Sequence, residues 1–215
     1  MKSIVFTLFV LTQLASADIT LRFWKNNSCG GAKQECSQPG EDFGFCCTSE
    51  KPFCSTGDCV GCRNGNDIYG FNRAACGGGA LTACREPGCC ISLGDSNTCA
   101  LIMEIGAGSQ QLPSGNFTFT NRDGEQTKCK GVRYPHKMTF SDETGEEHVI
   151  FMPLGTMERA NELVMADDWE QLKKEFPKYS KSHGQQHDYT QLDAEFKARQ
   201  EAEEQEERQK TADKS

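Results

Sequence analysis

This 215-residue chain has no apolar run long enough to cross a bilayer, which takes roughly 20 apolar residues; its longest, Ile4 to Leu14, is too short. It also lacks a surplus of positive charge. With 23 Lys and Arg against 31 Asp and Glu, the formal net charge is −8, so the basic footprint that nucleic acid or an anionic membrane requires is missing, and neither is expected as a partner. Aliphatic side chains are scarce where cysteine is densest. Residues 25–100 hold twelve Cys and thirteen Gly but only Val60, Ile68, Leu81, Ile91 and Leu93 as aliphatics. So little apolar surface does not offset the entropy of ordering the region, which points to covalent staples at roughly 2–4 kcal/mol each. Signatures of catalysis are missing too: there is no Gly-x-Ser-x-Gly elbow and no His-Glu-x-x-His. We expect no enzyme, no cofactor and no metal site. No His precedes residue 136, and His183 and His187, four apart in a polar surround with Gly184 between them, read as solvated histidines.

What is present begins with a secretory signal. Met1-Lys2-Ser3 is positive, the apolar run follows, and Ala15-Ser16-Ala17 is a small-x-small cleavage site, so residues 1–17 are expected to be removed and Asp18 to become the mature N-terminus. Losing Lys2 leaves 22 cations against 31 acids, a charge of −9. Neither a retention tetrapeptide nor a hydrophobic anchor closes the chain. Thirteen cysteines behind such a signal imply an oxidising, extracellular destination and a disulfide framework.

The cysteines follow a pattern written twice. Cys29-Gly30-Gly31, Cys36, the doublet Cys46-Cys47 and Cys54 are echoed by Cys76-Gly77-Gly78, Cys84, the doublet Cys89-Cys90 and Cys99, with Cys59 and Cys62 between the copies and Cys129 after them. The expected fold is small, disulfide-rich and mostly β: Cys-rich units at 18–62 and 63–99, an antiparallel β-meander at 100–153, a helical segment at 154–177 and a charged, partly disordered or helical tail at 178–215. Ile19 to Phe23 alternates like a strand, Phe117 and Phe119 alternate with Thr118 and Thr120 ahead of an Asp123-Gly124 hairpin signal, and strands at 136–141 and 147–152 flank Asp142-Glu143-Thr144-Gly145.

Helical periodicity starts after Thr156, with Met157, Ala160 and Val164 on one face, and restarts at Asp167-Asp168-Trp169-Glu170, a capping box closed by Pro177. Two stretches share aromatic-x-Gln-Leu-x-x-Glu-Phe, placing Trp169, Leu172 and Phe176, and again Tyr189, Leu192 and Phe196, on one helical face. Either these helices dock on the domain or on each other, or they form a tandem helix-in-groove motif for a protein partner.

Cys59-Val60-Gly61-Cys62 has thiol-oxidoreductase spacing, but Gly-rich flanks offer no helix N-terminus to activate a thiol, so a structural disulfide is expected. Asn26 and Asn116 begin glycosylation sequons. Counting by unit gives seven cysteines to the first copy and five to the second, which reaches six by recruiting Cys129. Cys129 is therefore expected to bond to the second copy, leaving Cys59 or Cys62 as the odd thiol, which allows a disulfide-linked homodimer where that thiol is exposed.

A signal peptide, a compact cysteine-rich core with Cys-Cys doublets and a hydrophilic tail together resemble the small secreted, effector-like proteins of filamentous fungi, which implies a protease-resistant protein acting by binding a host or extracellular partner. Cys29, Cys36, Cys46-Cys47, Cys54 and Cys59 follow the order of an inhibitor cystine knot, a resemblance that implies a toxin or inhibitor. Trp24 followed by Gly31 resembles the first hairpin of βγ-crystallin-like domains, without a calcium signature. Doublets in Gly-rich loops are also similar to hevein-type chitin-binding domains, which implies carbohydrate binding; the aromatic platform those domains carry after the doublet is replaced here by Thr48-Ser49-Glu50 and Ile91-Ser92-Leu93.

Overall fold

The computed structural model describes residues 19–38, 45–62, 66–77, 80–84, 86, 88–95, 97–105, 117–120, 126–129 and 131–180. In chain order these form β1 (Ile19–Trp24), β2 (Lys33–Gln38), β3 (Phe45–Glu50), β4 (Thr56–Val60), β5 (Asn66–Phe71), a 3-10 turn at Ala74–Cys76, β6 (Thr82–Cys84), β7 (Ile91–Ser92), β8 (Thr98–Ile105), β9 (Phe117–Thr120), β10 (Gln126–Cys129), β11 (Gly131–Arg133), β12 (Lys137–Ser141), β13 (Glu147–Phe151), α1 (Met157–Met165) and α2 (Trp169–Glu175). The mostly β, disulfide-rich fold class expected from composition is the one observed.

Two larger sheets carry the fold. The six-stranded sheet runs β13-β12-β2-β1-β4-β7 and the five-stranded sheet β11-β3-β8-β5-β6, while β9 and β10 pair with each other. Alternation explains how β1 sits: Ile19, Leu21 and Phe23 are buried, whereas Thr20, Arg22 and Trp24 stay partly exposed on the other face. Strand β8 is buried on both faces, as its near-continuous apolar run implies. Cys99, Leu101 and Met103 join the core between the sheets, and Ala100 and Ile102 join a second cluster beyond the five-stranded sheet with Tyr69, Phe71 and Val132. Gly57 permits the close approach of the sheets, because a Cβ there would lie 2.6 Å from Leu101 Cδ1. Aromatic rings and cystines fill the volume that aliphatics do not: Phe23, Phe53, Phe71 and Phe140 are fully buried, as are Cys46, Cys47, Cys54 and Cys99.

The cysteine doublet of β3 uses the same alternation. Adjacent side chains on a strand point to opposite faces, so Cys47 faces the six-stranded sheet and bonds Cys36 on β2, while Cys46 faces outward and bonds Cys76 in the 3-10 turn. One strand thus fastens the layers on both of its sides. The second doublet also divides its partners, Cys89 to Cys84 and Cys90 to Cys29. Cys54 bonds Cys99, and Cys59 bonds Cys62.

These pairings correct several expectations. The bridges Cys29–Cys90, Cys46–Cys76 and Cys54–Cys99 cross from one copy of the pattern to the other, and strands of 18–62 and 63–99 share both large sheets, so the copies are not separate units. Cys29, Cys46 and Cys54 leave the first copy, so its six cysteines do not close on themselves as a cystine knot requires. Cys59 and Cys62 bond each other, and Cys129, buried in the outer cluster, is the cysteine outside the six bridges. Counting by unit failed because strand register, not nearness in sequence, brings the sulfurs together; an exposed Cys59 or Cys62 thiol linking two chains therefore has no basis in this arrangement.

The 100–153 meander is likewise redistributed. Its hairpins form, β9 with β10 and β12 with β13, but β8 lies at the centre of the five-stranded sheet, β11 runs parallel to β3, and β12 joins β2. Both helices pack their apolar side, Ala160, Leu163, Val164, Leu172 and Phe176, into the core between the sheets. The second helix starts one residue later than the capping box implied: Asp168 caps it by accepting from Gln171 N at 3.1 Å. Asp167, at φ 52°, turns the chain between the helices. After Pro177 the chain does not leave as a tail at once. Phe151 N donates to Pro177 O and Tyr179 N to Val149 O, so 177–179 lies along the outer edge of β13.

Candidate functional site on the outer face of the six-stranded sheet

The residues that β1 turns away from the core are continued by strand register across its neighbours. One row reads Asp58, Arg22, Glu35, Lys137 and Phe151 over β4, β1, β2, β12 and β13; the next reads Thr56, Trp24, Lys33, Thr139 and Val149. Acid and base alternate along the first row, as favourable cross-strand pairing requires. Arg22 Nε donates to Asp58 Oδ1 at 2.7 Å and Nη2 to Oδ2 at 2.5 Å, a two-pronged pair. Two lysines share Glu35: Lys137 Nζ meets Oε2, and Lys33 Nζ lies 3.4 Å from Oε1.

Two aromatic rings flank this charged row. Trp24 has the guanidinium carbon of Arg22 5.0 Å and Lys33 Nζ 5.2 Å from its ring centre. Tyr179, brought to the sheet edge by the 177–179 pairing, has Lys137 Nζ at 5.4 Å and the His136 ring at 6.0 Å. Exposure divides the charges by sign. The Glu35 and Asp58 side chains are each 6 % exposed, against 21 % for Arg22, 19 % for Lys33 and 25 % for Lys137. Solvent therefore meets cationic donors and aromatic rings, while the carboxylates that hold the cations in place lie beneath them. Three cations over two carboxylates leave one positive charge in surplus, and it belongs to the two lysines on Glu35.

A second cluster looks like chemistry and is a latch. Ligand atoms of Asp142, Glu146 and His148 lie within 4.8 Å of one another at the β12–β13 turn. Asp142 Oδ1 accepts from Thr144 Oγ1 at 2.6 Å, Thr144 N at 3.0 Å and Glu146 N at 3.2 Å, and Oδ2 meets His148 Nε2 at 2.7 Å and Lys173 Nζ at 3.2 Å. The Thr144 hydroxyl first, then His148, hold the Asp142 carboxyl below the usual carboxylate range. Lys173, its pKa raised by Glu170 and then by Asp142, pairs with the same Asp142 oxygen as His148. The cluster ties the hairpin to α2.

An open cleft of about 540 Å³ lies between α1 and the end of β3, lined by Lys51, Asn161, Glu162 and Met165 among others. Of its lining, Asn161 is committed to packing: Gln34 Nε2 donates to Asn161 Oδ1 at 2.8 Å and Asn161 Nδ2 to Lys51 O at 3.0 Å.

The residues singled out in the sequence are placed as follows. Leu172 and Phe176 are buried and Trp169 stacks on Phe140 at 5.2 Å, so this first stripe is occupied by the core and not offered to a partner. Tyr189, Leu192, Phe196, Asn116, His183 and His187 lie outside the described residues. Asn26 is exposed in the turn between β1 and β2. Residues after the doublets present no sugar platform, since Thr48, Ser49, Ile91 and Leu93 are buried. Sequence reading missed Arg22, Trp24, Lys33, Glu35, Asp58, Lys137 and Tyr179. The polar alternation of β1 was visible, but the strands lying beside it were not. Comparison of the chain with protein-family models, with curated proteins and with solved structures finds no match.

Proposed function

We propose that this chain is an exported, disulfide-locked binding protein without catalytic activity, which engages an extracellular or host partner through the outer face of the six-stranded sheet. The observation that carries this reading is the division of charge on that face: accessible cations and aromatic rings over hidden carboxylates, on a sheet whose β2 is bridged to β3 through Cys36–Cys47. Export is supported by the signal-like residues 1–17 and by six disulfides, which persist in oxidising compartments; among the described residues no helix is long and apolar enough to cross a membrane. A non-catalytic role agrees with the full engagement of Asp142 and with the Cys59–Cys62 bridge ending a strand instead of opening a helix. The effector-like format of the sequence belongs to the same proposal. Carbohydrate binding is the second reading, favoured by the half-buried ring of Trp24, and the cross-copy bridges tell against a knottin-type toxin.

The test is to express the chain with its own leader in a eukaryotic secretory host and assay the product from the medium. Wild type and Trp24→Ala are compared on extracellular polysaccharides and on arrayed cell-surface proteins. We expect a product starting at Asp18 and a ligand whose retention falls on Trp24→Ala while the bridges stay intact. Retention inside the cell, or binding indifferent to Trp24→Ala and Lys137→Gln alike, would contradict the reading.

A further inference from the structure

We infer that Asn26 is a modification site and carries an N-linked oligosaccharide on the turn between β1 and β2. Of the two sequons in the chain, the one at Asn116 begins outside the described residues, and the one at Asn26 has the setting that a modified amide needs. Asn26, Asn27 and Ser28 are all exposed. Beneath them the backbone is fixed: Lys25 N donates to Ala32 O at 3.0 Å, Ser55 Oγ to Lys25 O at 2.9 Å, Thr56 Oγ1 to Asn26 O at 2.7 Å, and Cys29 N to Thr56 Oγ1 at 3.2 Å. The flanking side chains also serve the fold. Lys25 reaches Val164 O at 3.1 Å and Asp167 Oδ1 at 3.3 Å, and Cys29 is bridged to Cys90. Gly31, at φ 80°, leaves space for the Asn26 amide, since a Cβ there would lie 2.8 Å from Asn26 Nδ2. Packing thus accounts for Lys25, Cys29 and Gly31. It gives no task to the Asn26 amide or the Ser28 hydroxyl, neither of which enters a hydrogen bond among the described residues. Those are the two groups that define the sequon.

The donor is a lipid-linked diphosphate oligosaccharide of the secretory lumen. The bond from the anomeric carbon of its first sugar to the diphosphate oxygen breaks, and a bond from that carbon to Asn26 Nδ2 forms. Lipid diphosphate leaves with the bonding pair, and the proton released by the amide passes to solvent. Chain order favours this acceptor. Synthesis runs from the N-terminus, so Asn26, close behind Asp18, enters the lumen ahead of Ser55, Thr56 and Cys90, the residues that fix the turn. The bridge partner of Cys29 is 61 residues further on. Residues 26–28 are therefore met by the transferase before the turn closes, and after closure they face solvent, so the sugar displaces no packing. In register the site lies beyond the Trp24–Lys33 pair that ends the β1–β2 ladder. The inference rests on the export part of the proposed reading and is independent of the binding face.

The full chain is expressed in a eukaryotic secretory host, once behind its own residues 1–17 and once behind a foreign leader, and the product is mapped by proteolysis and mass spectrometry. We expect the peptide holding Asn26 to carry a series of hexose and N-acetylhexosamine masses that peptide N-glycosidase removes. Removal in heavy-oxygen water should return Asn26 as labelled aspartate. Asn26→Gln should abolish the series on this peptide, and so should Ser28→Ala, which keeps the asparagine; Ser28→Thr should retain it. Trp24→Ala should leave it unchanged, which separates this site from the binding face. Intact mass and circular dichroism of each variant report the bridges and the strands. Glycan on Asn26 behind the foreign leader, with no export behind residues 1–17, supports the site and contradicts the proposed export signal. Unmodified Asn26 in chains whose leader has been cut overturns the assignment. Glycan confined to Asn116, or a modification of the Asn26 peptide that survives Ser28→Ala, overturns it as well.

Discussion

The cross-linked strands of 19–105 and the hairpin-and-helix layer of 131–180 are closed by different means. In the first region, bridges spanning 61, 45 and 30 residues remove most of the freedom of the unfolded chain. In the second, no bridge is present among the described residues. Closure there depends on buried Met138, Phe140, Leu163, Val164 and Leu172, on the Gln34–Asn161 amide contact, and on ion pairs such as Arg159 with Glu175 at 2.8 Å. The comparison shows what the scarcity of aliphatics demanded. Where side chains are too small to hold the sheets together, sulfur does it; where Leu, Val, Met and Phe return, bridges are dispensable. The candidate site lies across the boundary, with Arg22, Trp24, Lys33, Glu35 and Asp58 on locked strands and Lys137 and Tyr179 on the unlocked layer.

That contrast is broken most severely by removing a long bridge. Replacing Cys54 and Cys99 together by Ala should cost about 4 kcal/mol, because the pair closes a span of 45 residues, whereas replacing Cys84 and Cys89, five apart, should cost about 2 kcal/mol. Urea unfolding of the two double variants checks the order. A smaller loss is expected from Leu172→Ala, which leaves every bridge in place but opens the helix layer; truncation at such a buried site costs roughly 2–3 kcal/mol. Hydrogen exchange should then quicken in 131–180 and change little in the cross-linked strands. Uniform quickening would mean that both regions depend equally on the helices.

The smallest effect concerns acid. Glu175 is held down to about 2 from 4.5, by Arg159 first and then Gln171, and Asp142 is also lowered. A depressed carboxylate adds stability that is complete above its unfolded pKa and lost as pH falls through the folded one. The helix layer should therefore weaken from about pH 4.5 down toward 2 while the bridges persist. Fluorescence of Trp169, stacked on Phe140, reports it, and Glu175→Gln should flatten the change.

Local structure was legible in the sequence wherever one segment decides it. Ile19-Thr20-Leu21-Arg22-Phe23 alternates and is β1; Asp142-Glu143-Thr144-Gly145 turns the β12–β13 hairpin; Pro177 ends α2. What depends on distant strands meeting was not legible. Nothing in Arg22 or Glu35 shows that β2 and β4 will flank β1, so the row from Asp58 to Lys137 is invisible in one dimension. The bridges failed for the same reason, with one readable exception. Two adjacent cysteines on a strand face opposite ways, so Cys46 and Cys47 had to seek partners in different layers, which already argues against closing the first copy on itself.

Disulfide mapping of the secreted protein by proteolysis and mass spectrometry, without reduction, tests the central claim that alternating cysteines fasten both copies into one body. We predict linked peptides joining Cys29 to Cys90, Cys46 to Cys76 and Cys54 to Cys99, with Cys36 to Cys47 inside the first copy. Bridges confined within 18–62 and within 63–99, or Cys46 and Cys47 both bonded to the same strand, would contradict it.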